Sequence, residues 1–596
     1  MVEERSERQP WIVMHVVLVG LTLMFFLSFF NRFAGLRSGD GEYGGGMALL
    51  SGHLPYRDFF TASPPLNMVK SAILLKIFGT ALIVSRTAGV VERVLLALLL
   101  FRWLVQLFRP WHALVASVIT IIVSAGDLTD PIASYNHDAV LFAMIAGLCV
   151  SLVLEGGSQR RAVLLALASG ASAGLGLLTK QTVGLGAMLC VSVAGVTLLW
   201  KLDGPRRAVL WLASFAAGCA IPLAAMSVWL WRQHILLTFF RMLFVTGPEA
   251  KAGRPIDFLI RDWQVAWDNP LWVLPALIGL ALSWRAVGRG LQTRNLKPVT
   301  RNEQILWLVA GVVLIGAAQA MAFTSVPALH DFSKCSVYYV FLGLTVWLPV
   351  NLAVLLRPDL SRRAAQVLLM GAVSWTVAFM FSLSWPVFEA MAVPGLGFLL
   401  AALLDGLHAR FRWFAMLVMA TMVFLQVRDK LDLPFGFDGM NEAPVRFATA
   451  VSDQPQLRGL RLPPEMVRFL DDATKLVVAH TGPGDTIFTY PEMGLLYSLT
   501  ERQPATRSGS HNMDVVNDAF AGQEAARILS TRPAVIFYYS QSEENLREQE
   551  RMWRHGQRSG QRAIIAAIQT LAQSYRLAGS YTVAPGAPPI EVYVRP

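Results

Sequence analysis

The sequence is poor in charge and in cysteine. Only 15% of its 596 residues are charged, whereas 54% are hydrophobic and the mean hydropathy is +0.48. Soluble domains carry about 25% charged residues, so this composition excludes an ordinary soluble protein. The 4 cysteines show no paired spacing, which excludes a disulfide framework and a cysteine-based zinc motif. No glycine-rich phosphate loop follows a predicted strand, and this argues against a bound nucleotide.

Long apolar segments fill most of the chain instead. About 13 stretches of spanning length occur between Trp11 and Val427. Backbone amides in lipid must be hydrogen-bonded within the segment, and the alternating stretches of a barrel are not seen, so each stretch is predicted to be a helix. The sequence therefore predicts a polytopic α-helical membrane protein with spans near residues 11–31, 81–108, 111–126, 138–154, 162–179, 183–200, 208–231, 271–284, 305–324, 337–356, 364–383, 387–404 and 413–427.

Basic residues alternate between the predicted loops. Lys and Arg collect in short cytoplasmic loops, so the N-terminus with Arg5 and Arg8 is predicted to be cytoplasmic. In a bacterium this gives a multi-pass inner-membrane protein with the loop around Asp40, and everything after Arg428, in the periplasm. Much of the net charge of +11 is then explained by topology, and no nucleic-acid partner is expected. The other basic loops on the inner side contain Arg109, Arg160, Arg161, Lys201, Arg206, Arg207, residues 285–301, Arg357, Arg362, Arg363, Arg410 and Arg412.

The composition changes near Asp432 to mixed polar sequence with several prolines. Residues 485–490 and 534–539 have the pattern of short buried strands, and residues 543–575 have helical spacing. About 130 residues are enough for an independent core. We therefore predict two parts, a transmembrane domain over residues 1–430 and, over residues 431–596, a linker with a small extracytoplasmic α/β domain.

Two acids, Asp40 and Glu42, follow the first predicted span. In a turn, both carboxylates can face the outer mouth of the helix bundle, where the head group of a lipid phosphate would lie. A carboxylate that is partly shielded from water and close to an acceptor hydroxyl can remove its proton, which makes both acids candidate catalytic bases. The alternative is that they are solvated loop acids beside a helix end.

Further candidates lie in the later outer loops. Asp138 begins a predicted helix, where it is either an N-cap or a site-lining acid. Lys180 lies in a short outer turn and is either a phosphate contact or a helix-end lysine that reaches to the interface. Arg241 belongs to a basic, aromatic loop that either contacts phosphate or rests on membrane lipids.

The first outer loop resembles that of the GT-C glycosyltransferases, in the branch that contains protein O-mannosyltransferases and lipid A aminoarabinose transferases. The match is specific over residues 38–90 and general over the rest of the membrane part. The loop starts with Asp40 and Glu42, and Arg86 in the second span also fits. The motifs between them are Leu50-Ser-Gly52, Pro55-Tyr-Arg-Asp58, Pro64-Pro-Leu66 and Leu75-Lys-Ile-Phe-Gly79.

This resemblance implies a GT-C-like bundle that moves a sugar with inversion from a polyprenyl-phosphate donor to an extracytoplasmic lipid, glycan or protein. It implies that Asp40 or Glu42 is the base, and that Arg86 ties the first loop to the bundle. Ala62 and Ser63 replace a Glu-Lys pair of the aminoarabinose transferases, so no metal is indicated, although a divalent ion is compatible with the acids. Substrate contacts are expected from Tyr43, Tyr56, Arg57, Asp58, His137, Asp138, Lys180, Arg241, Lys334 and Tyr338.

Two other functions are compatible with many spans and buried charges. A transporter or flippase for a lipid-linked sugar is expected to have interrupted helices in pairs and pseudo-repeats, and the sequence shows neither. A membrane scaffold that binds through its outer domain would tolerate loss of the first-loop acids.

Overall fold

The computed structural model describes residues 2–36, 42–124, 134–250, 359–380, 393–406, 409–432, 443–584 and 587–596, with isolated positions between 344 and 441. The predicted spans near 271–284 and 305–324, and nearly all of the one near 337–356, lie outside these residues. Asp40, Lys334 and Tyr338 lie outside them as well.

The membrane part is helical. Each of α1, α4 to α9 and α12 to α14 overlaps a predicted span, which confirms the helical membrane architecture over the described residues. Five of them, α6 to α9 and α12, are long and apolar enough to cross a membrane, and α3 with α4 makes a sixth if this pair, bent by 118°, is one span. The helices are α1 (Val2–Leu27), α2 (Tyr43–Leu50), α3 (Leu66–Phe78), α4 (Leu82–Leu104), α5 (Pro110–Val123), α6 (Tyr135–Leu154), α7 (Gln159–Thr179), α8 (Gln181–Asp203), α9 (Pro205–Arg232), α10 (Leu236–Arg241), α11 (Gly247–Ala250), α12 (Arg362–Met380), α13 (Val393–Gly406) and α14 (Ala409–Asp432).

Glycines let α7 and α9 approach closely. A Cβ atom on Gly170 would lie 2.0 Å from the carbonyl oxygen of Phe215, and one on Gly218 would lie 2.2 Å from that of Leu167. Lipid gives little hydrophobic drive to helix association, so close backbone packing of this kind supplies much of the contact energy. Helix α7 ends at Thr179, directly before Lys180, so this packing holds the helix that leads into the turn carrying Lys180.

The C-terminal domain is built around a mixed sheet. Its five strands have the order β4-β3-β5-β7-β6; β4, β3 and β5 are parallel, and β7 is antiparallel to both of its neighbours. The predicted strands at 485–490 and 534–539 are confirmed as β3 and β5. A short hairpin of β1 (Gly436–Phe437) and β2 (Met440–Asn441) precedes the domain, which contains α15 (Pro464–His480), β3 (Thr486–Tyr490), α16 (Gly494–Thr500), β4 (Gln503–Pro504), α17 (Asp518–Thr531), β5 (Val535–Tyr539), α18 (Glu543–Arg554), α19 (Gln561–Ala572), β6 (Arg576–Tyr581) and β7 (Ile590–Val594).

Both faces of this sheet are covered. Alternate residues of a strand point to opposite faces, so Val535 and Phe537 pack on the face of α15, whereas Ile536 and Tyr538 pack on the face of α17 and α19. All five residues of β5 are buried, as expected for a central parallel strand. The domain is therefore a three-layer α/β sandwich.

The helical spacing predicted over 543–575 corresponds to two helices, α18 and α19. The helix ends at Arg554, because His555 has the left-handed φ of 52° and Gly556 has φ 80°. A second helix, α19, begins at Gln561. Glycine at the end of a helix accepts positive φ without strain, so Gly556 was the signal for this break.

The C-terminal domain shares its core with one end of the membrane helices. Tyr43, Leu75 and Leu82 belong to the same buried cluster as Phe469 and Val592. The backbone of Arg461 accepts from Phe33 N at 2.8 Å. The first loop and the C-terminal domain consequently lie on one side of the helix bundle.

Candidate functional site

The first turn of α6 is the centre of the candidate site. Its N-cap is Ser134, whose side chain accepts from Asn136 N. The alternative that Asp138 is the N-cap was therefore wrong, because Asp138 lies in the first turn, four positions after the N-cap Ser134. Its carboxylate is directed to other elements instead, and successive residues of this turn contact the first loop, the α7–α8 turn and α3.

Glu42 joins the first loop to this turn. It immediately precedes α2, and its Oε1 accepts a hydrogen bond from Tyr135 N at 3.0 Å. A carboxylate is favoured at this position because free N–H groups and the helix dipole make a helix N-terminus electropositive. Asp40 lies outside the described residues, so Glu42 is the first-loop acid whose surroundings are described.

Lys180 approaches the same turn from the other side. It separates α7 from α8, and its Nζ donates to Asn136 Oδ1 at 2.8 Å. The ammonium group also lies 5.0 Å from the ring centroid of Tyr135. Gln181 Nε2 donates to the carbonyl oxygen of Ala62 at 3.0 Å, which fastens the first loop beside this turn.

A buried ion cluster that the sequence analysis missed lies next to them. Lys70 Nζ contacts Glu92 Oε1 at 2.5 Å and also pairs with Asp138 Oδ2, which in turn accepts from Asn67 Nδ2 at 2.7 Å. The side chains of Glu92 and Asp138 are 9% and 8% exposed, whereas that of Lys70 is 28% exposed. Asn67 and Lys70 are three residues apart on a mostly apolar helix, and this polar pair was the signal that could have revealed the cluster.

Four predicted substrate contacts also have local partners that hold the first loop. The hydroxyl of Tyr43 donates to the carbonyl of Thr80, and that of Tyr56 donates to the carbonyl of Ser63, each at 2.7 Å. Arg57 pairs with Asp58 at 2.7 Å, and this hydrogen bond lowers the pKa of the Asp58 carboxyl. Burial raises the pKa of Tyr43 and of Tyr56 above the ordinary value, so both phenols stay protonated donors.

The remaining predicted residues are spread more widely. His137 lies in the first turn of α6, and its Nδ1 is buried with no hydrogen-bond partner among the described residues. Arg241 is exposed at the end of α10, where the preceding Phe239 packs edge-on against Tyr56. The structure thus brings Glu42, His137, Asp138 and Lys180 together around one helical turn, and no contact joins Arg241 to them in the part of the chain that is described.

Arg86 has the role expected of it. This fully buried side chain donates to the carbonyl oxygen of Arg32 at 2.7 Å. The bond connects α4 to the segment that leads into the first loop, which confirms the predicted tie. Glu92 and Arg93, adjacent on the same helix, have different partners, since Arg93 donates to Gly89 and packs over the ring of Phe26.

The site offers carboxylates and cations within one small region at the helix ends that face the C-terminal domain. A carboxylate beside a bound hydroxyl can act as a base, and an ammonium group can neutralise phosphate oxygens. Within the described ranges, no group of three His, Cys, Asp or Glu residues is close enough to hold a metal ion. The contacts therefore provide the elements of an acid–base site beside a phosphate site.

Comparison with known proteins shows similarity of fold. No family model and no curated protein sequence matches the chain. Among solved structures, ArnT from Cupriavidus metallidurans bound to undecaprenyl phosphate aligns over 98% of both chains with 14% identity and a TM-score of 0.44. The Archaeoglobus fulgidus oligosaccharyltransferase in complex with Zn and sulfate aligns over 97% of this chain and 72% of its own, with 11% identity and a TM-score of 0.51. The protein is thus a multi-pass membrane protein whose fold is similar to that of this archaeal oligosaccharyltransferase.

Proposed function

We propose that the protein is a glycosyltransferase that moves a sugar from a polyprenyl-phosphate donor to an extracytoplasmic acceptor, with inversion. The observation that carries this proposal is the convergence of Glu42, Lys180 and the Lys70–Asp138 pair on the first turn of α6. The fold similarity to an oligosaccharyltransferase supports the same class of reaction. The setting we propose is the bacterial inner membrane, with the site open to the periplasm.

The proposed reaction is a direct displacement at the anomeric carbon. Asp40 or Glu42 takes the proton of an acceptor hydroxyl while the hydroxyl oxygen forms a bond to that carbon. The bond from this carbon to the phosphate oxygen breaks, and the polyprenyl phosphate leaves as an anion. One base is sufficient, because the leaving group needs no proton.

Glu42 has a geometric argument in its favour as the base. The bond from Tyr135 N holds one carboxylate oxygen in a fixed direction, so the side chain does not need to be ordered when the acceptor binds. Asp40 is two residues earlier in the chain and stays an equal candidate. The two acids differ in one testable respect, because replacement of the true base should have the larger effect on turnover.

Lys180 is the proposed phosphate contact, and Arg241 is a second candidate from the outer loop. Lys180 is 7% exposed and fixed by Asn136, so little side-chain entropy is lost when it contacts the donor. Asp138 is the proposed site-lining acid. Its pairing with Lys70 keeps a negative charge in place within a poorly solvated region. The roles of Tyr43, Tyr56, Arg57, Asp58, His137, Lys334 and Tyr338 in substrate binding remain part of the proposal.

The test replaces the first-loop acids without changing their size. The purified chain in lipid nanodiscs is given a panel of polyprenyl-phosphate sugars, and release of polyprenyl phosphate is measured for Asp40→Asn, Glu42→Gln and the double variant. We expect turnover to fall by about 100-fold or more in the variant that lacks the base, while donor binding is retained. Glu465→Gln, which changes an exposed acid of the C-terminal domain, is the matched control. Normal turnover in the double variant would contradict the proposed mechanism.

A further inference from the structure

One edge of the C-terminal sheet is a candidate ligand site that the sequence did not reveal. Strands β3, β4 and β5 are parallel, so their carboxyl ends lie at one edge. In open α/β sheets, ligands bind in the crevice outside this edge. Here the edge carries residues 491–493, which follow β3, and the irregular segment 505–517, which follows β4.

Buried polar side chains are concentrated at this edge. Glu492 is 4% exposed and accepts a hydrogen bond from Asn512 Nδ2; Asn512 is 4% exposed as well. His511 is fully buried, its ring stacks on that of Tyr490 at 6.5 Å, and its backbone N donates to the carbonyl of Pro491 at 2.9 Å. The two segments are therefore held together around a charged group in the interior.

Three consecutive residues of the second segment have unused hydrogen-bonding atoms. Ser510 Oγ, His511 Nδ1 and Asn512 Oδ1 are buried with no partner in the part of the chain that the structure describes. Buried polar atoms without partners are rare in native proteins because they cost stability. Three in succession indicate that another molecule completes their hydrogen bonds.

The available groups favour a hydroxyl-rich ligand over an anion. Burial lowers the pKa of His511 to about 3, so its imidazole is neutral near pH 7. A carboxylate in the same place repels phosphate, whereas carboxylate and amide oxygens accept hydrogen bonds from hydroxyl groups. Glu492 and Asn512 together suit a sugar with several hydroxyls.

This crevice is connected to the membrane site by a short stretch of the first loop. Phe60 N donates to the carbonyl oxygen of Arg507 at 2.7 Å, and the ring of Phe60 packs on that of Phe520 at 4.8 Å. Two residues later, Ala62 accepts from Gln181, the neighbour of Lys180. The segment from Phe60 to Ala62 therefore contacts both the irregular segment 505–517 and the residue next to the proposed phosphate contact.

We propose that this carboxyl edge is the acceptor-binding site and that the acceptor is a glycan, held through its hydroxyls by Glu492, Ser510, His511 and Asn512. The inference rests on the proposed function, since it names the acceptor for the same reaction. The site is closed in this structure. The irregular segment 505–517 is the part that opens to admit the sugar.

The test measures sugar binding separately from transfer. Saturation-transfer NMR on the full chain in nanodiscs uses methyl glycosides of mannose, glucose, galactose, arabinose and N-acetylglucosamine as probes, with methyl phosphate as the anionic probe. At least one glycoside should bind, and its affinity should fall at least 10-fold in Glu492→Gln and in Asn512→Leu. Glu501→Gln, which alters an exposed acid of the same domain, should bind normally. If Glu492→Gln or Asn512→Leu has a lowered thermal unfolding midpoint, Asn512→Ala is used in place of that variant.

The outcomes separate this inference from the proposed function. Absence of glycoside binding, binding of methyl phosphate alone, or equal binding by all variants would overturn the acceptor site. In transfer assays with the bound glycoside, Glu492→Gln should raise the acceptor KM at least 10-fold and leave the donor KM unchanged. Glycoside binding without transfer from any donor would leave the site standing and reject the glycosyltransferase. If Glu492→Gln transfers sugar with an unchanged acceptor KM, the proposed glycosyltransferase stands and the acceptor site is rejected.

Discussion

Lys180 and Asn136 are joined by a hydrogen bond of 2.8 Å between the turn that links α7 to α8 and the first turn of α6. The bond directs a buried cation to the place where Glu42 meets Tyr135 N. A snorkelling lysine would extend toward the interface, whereas this ammonium group is directed inward to Asn136. Its position is the one that the proposed contact with the donor phosphate requires.

Replacement of Lys180 should weaken donor binding. Lys180→Gln removes one charge-assisted hydrogen bond, and we expect the affinity for polyprenyl phosphate to fall by about 1–3 kcal/mol. Lipid binding to the detergent-purified protein gives the measurement. Lys76→Gln is the matched control, because Lys76 is exposed on α3. If neither Lys180→Gln nor Arg241→Gln changes the affinity, both residues are outside the donor site.

Replacement of Lys70 should destabilise the membrane part. Lys70→Met leaves the carboxylates of Glu92 and Asp138 buried without their shared cation, which costs about 3–5 kcal/mol. Addition of Glu92→Gln should recover part of the loss, because one of the two uncompensated charges is then absent. Unfolding in detergent is the measurement, and Lys76→Met should stay within about 0.5 kcal/mol of the unaltered chain. Equal losses in Lys70→Met and Lys76→Met would show that the ion cluster contributes nothing specific.

The contact between α7 and α9 can be tested with a single methyl group. Gly218→Ala places a Cβ 2.2 Å from the carbonyl oxygen of Leu167, so the helices must separate, at a cost of about 1–3 kcal/mol. Gly20→Ala on α1 is the matched control because nothing lies within 4 Å of the added atom. This control should raise stability slightly, since alanine favours helix. The thermal unfolding midpoint should move in opposite directions in the two variants.

Topology gives an independent prediction. The C-terminal domain packs against Phe33 and Tyr43, so it should share a compartment with the first loop, and the far end of α6 should lie in the other one. Reporter fusions after Arg428 should be active outside the cytoplasm, and those inserted at Gly157 should be active inside. Activity of both fusions in the same compartment would contradict the positions of the helices and of the outer domain.

The parts of the fold that depend on local patterns could be predicted from the sequence. Apolar runs of spanning length predict helices because lipid requires internal hydrogen bonding, and short β-branched and aromatic runs predicted β3 and β5. The same holds for Arg86, since a fully buried guanidinium must find acceptors. The break between α18 and α19 was missed because helical spacing on both sides outweighed Gly556.

The ion cluster and the C-terminal crevice depend on tertiary structure. Lys70 meets Asp138 only because α3 and α4 are bent by 118°, which brings a lysine of the first loop beside the start of α6. Glu492 and Asn512 meet because parallel strands place the loops after β3 and β4 at one edge. Spacing in the sequence contains neither contact. The polar pair of Asn67 and Lys70 on α3 could indicate a buried polar group, but not which residues it meets.

The position of β7 has a consequence for biogenesis. This strand lies between β5 and β6, and its Val592 and Val594 belong to the buried cluster that also covers Tyr43, Leu75 and Leu82. Translation produces β7 after every other strand of the sheet. The core shared by the first loop and the C-terminal domain therefore stays incomplete until β7 is added, and a ribosome that stalls before Ile590 leaves a membrane protein with part of this core exposed, the kind of intermediate that quality-control proteases and chaperones recognise.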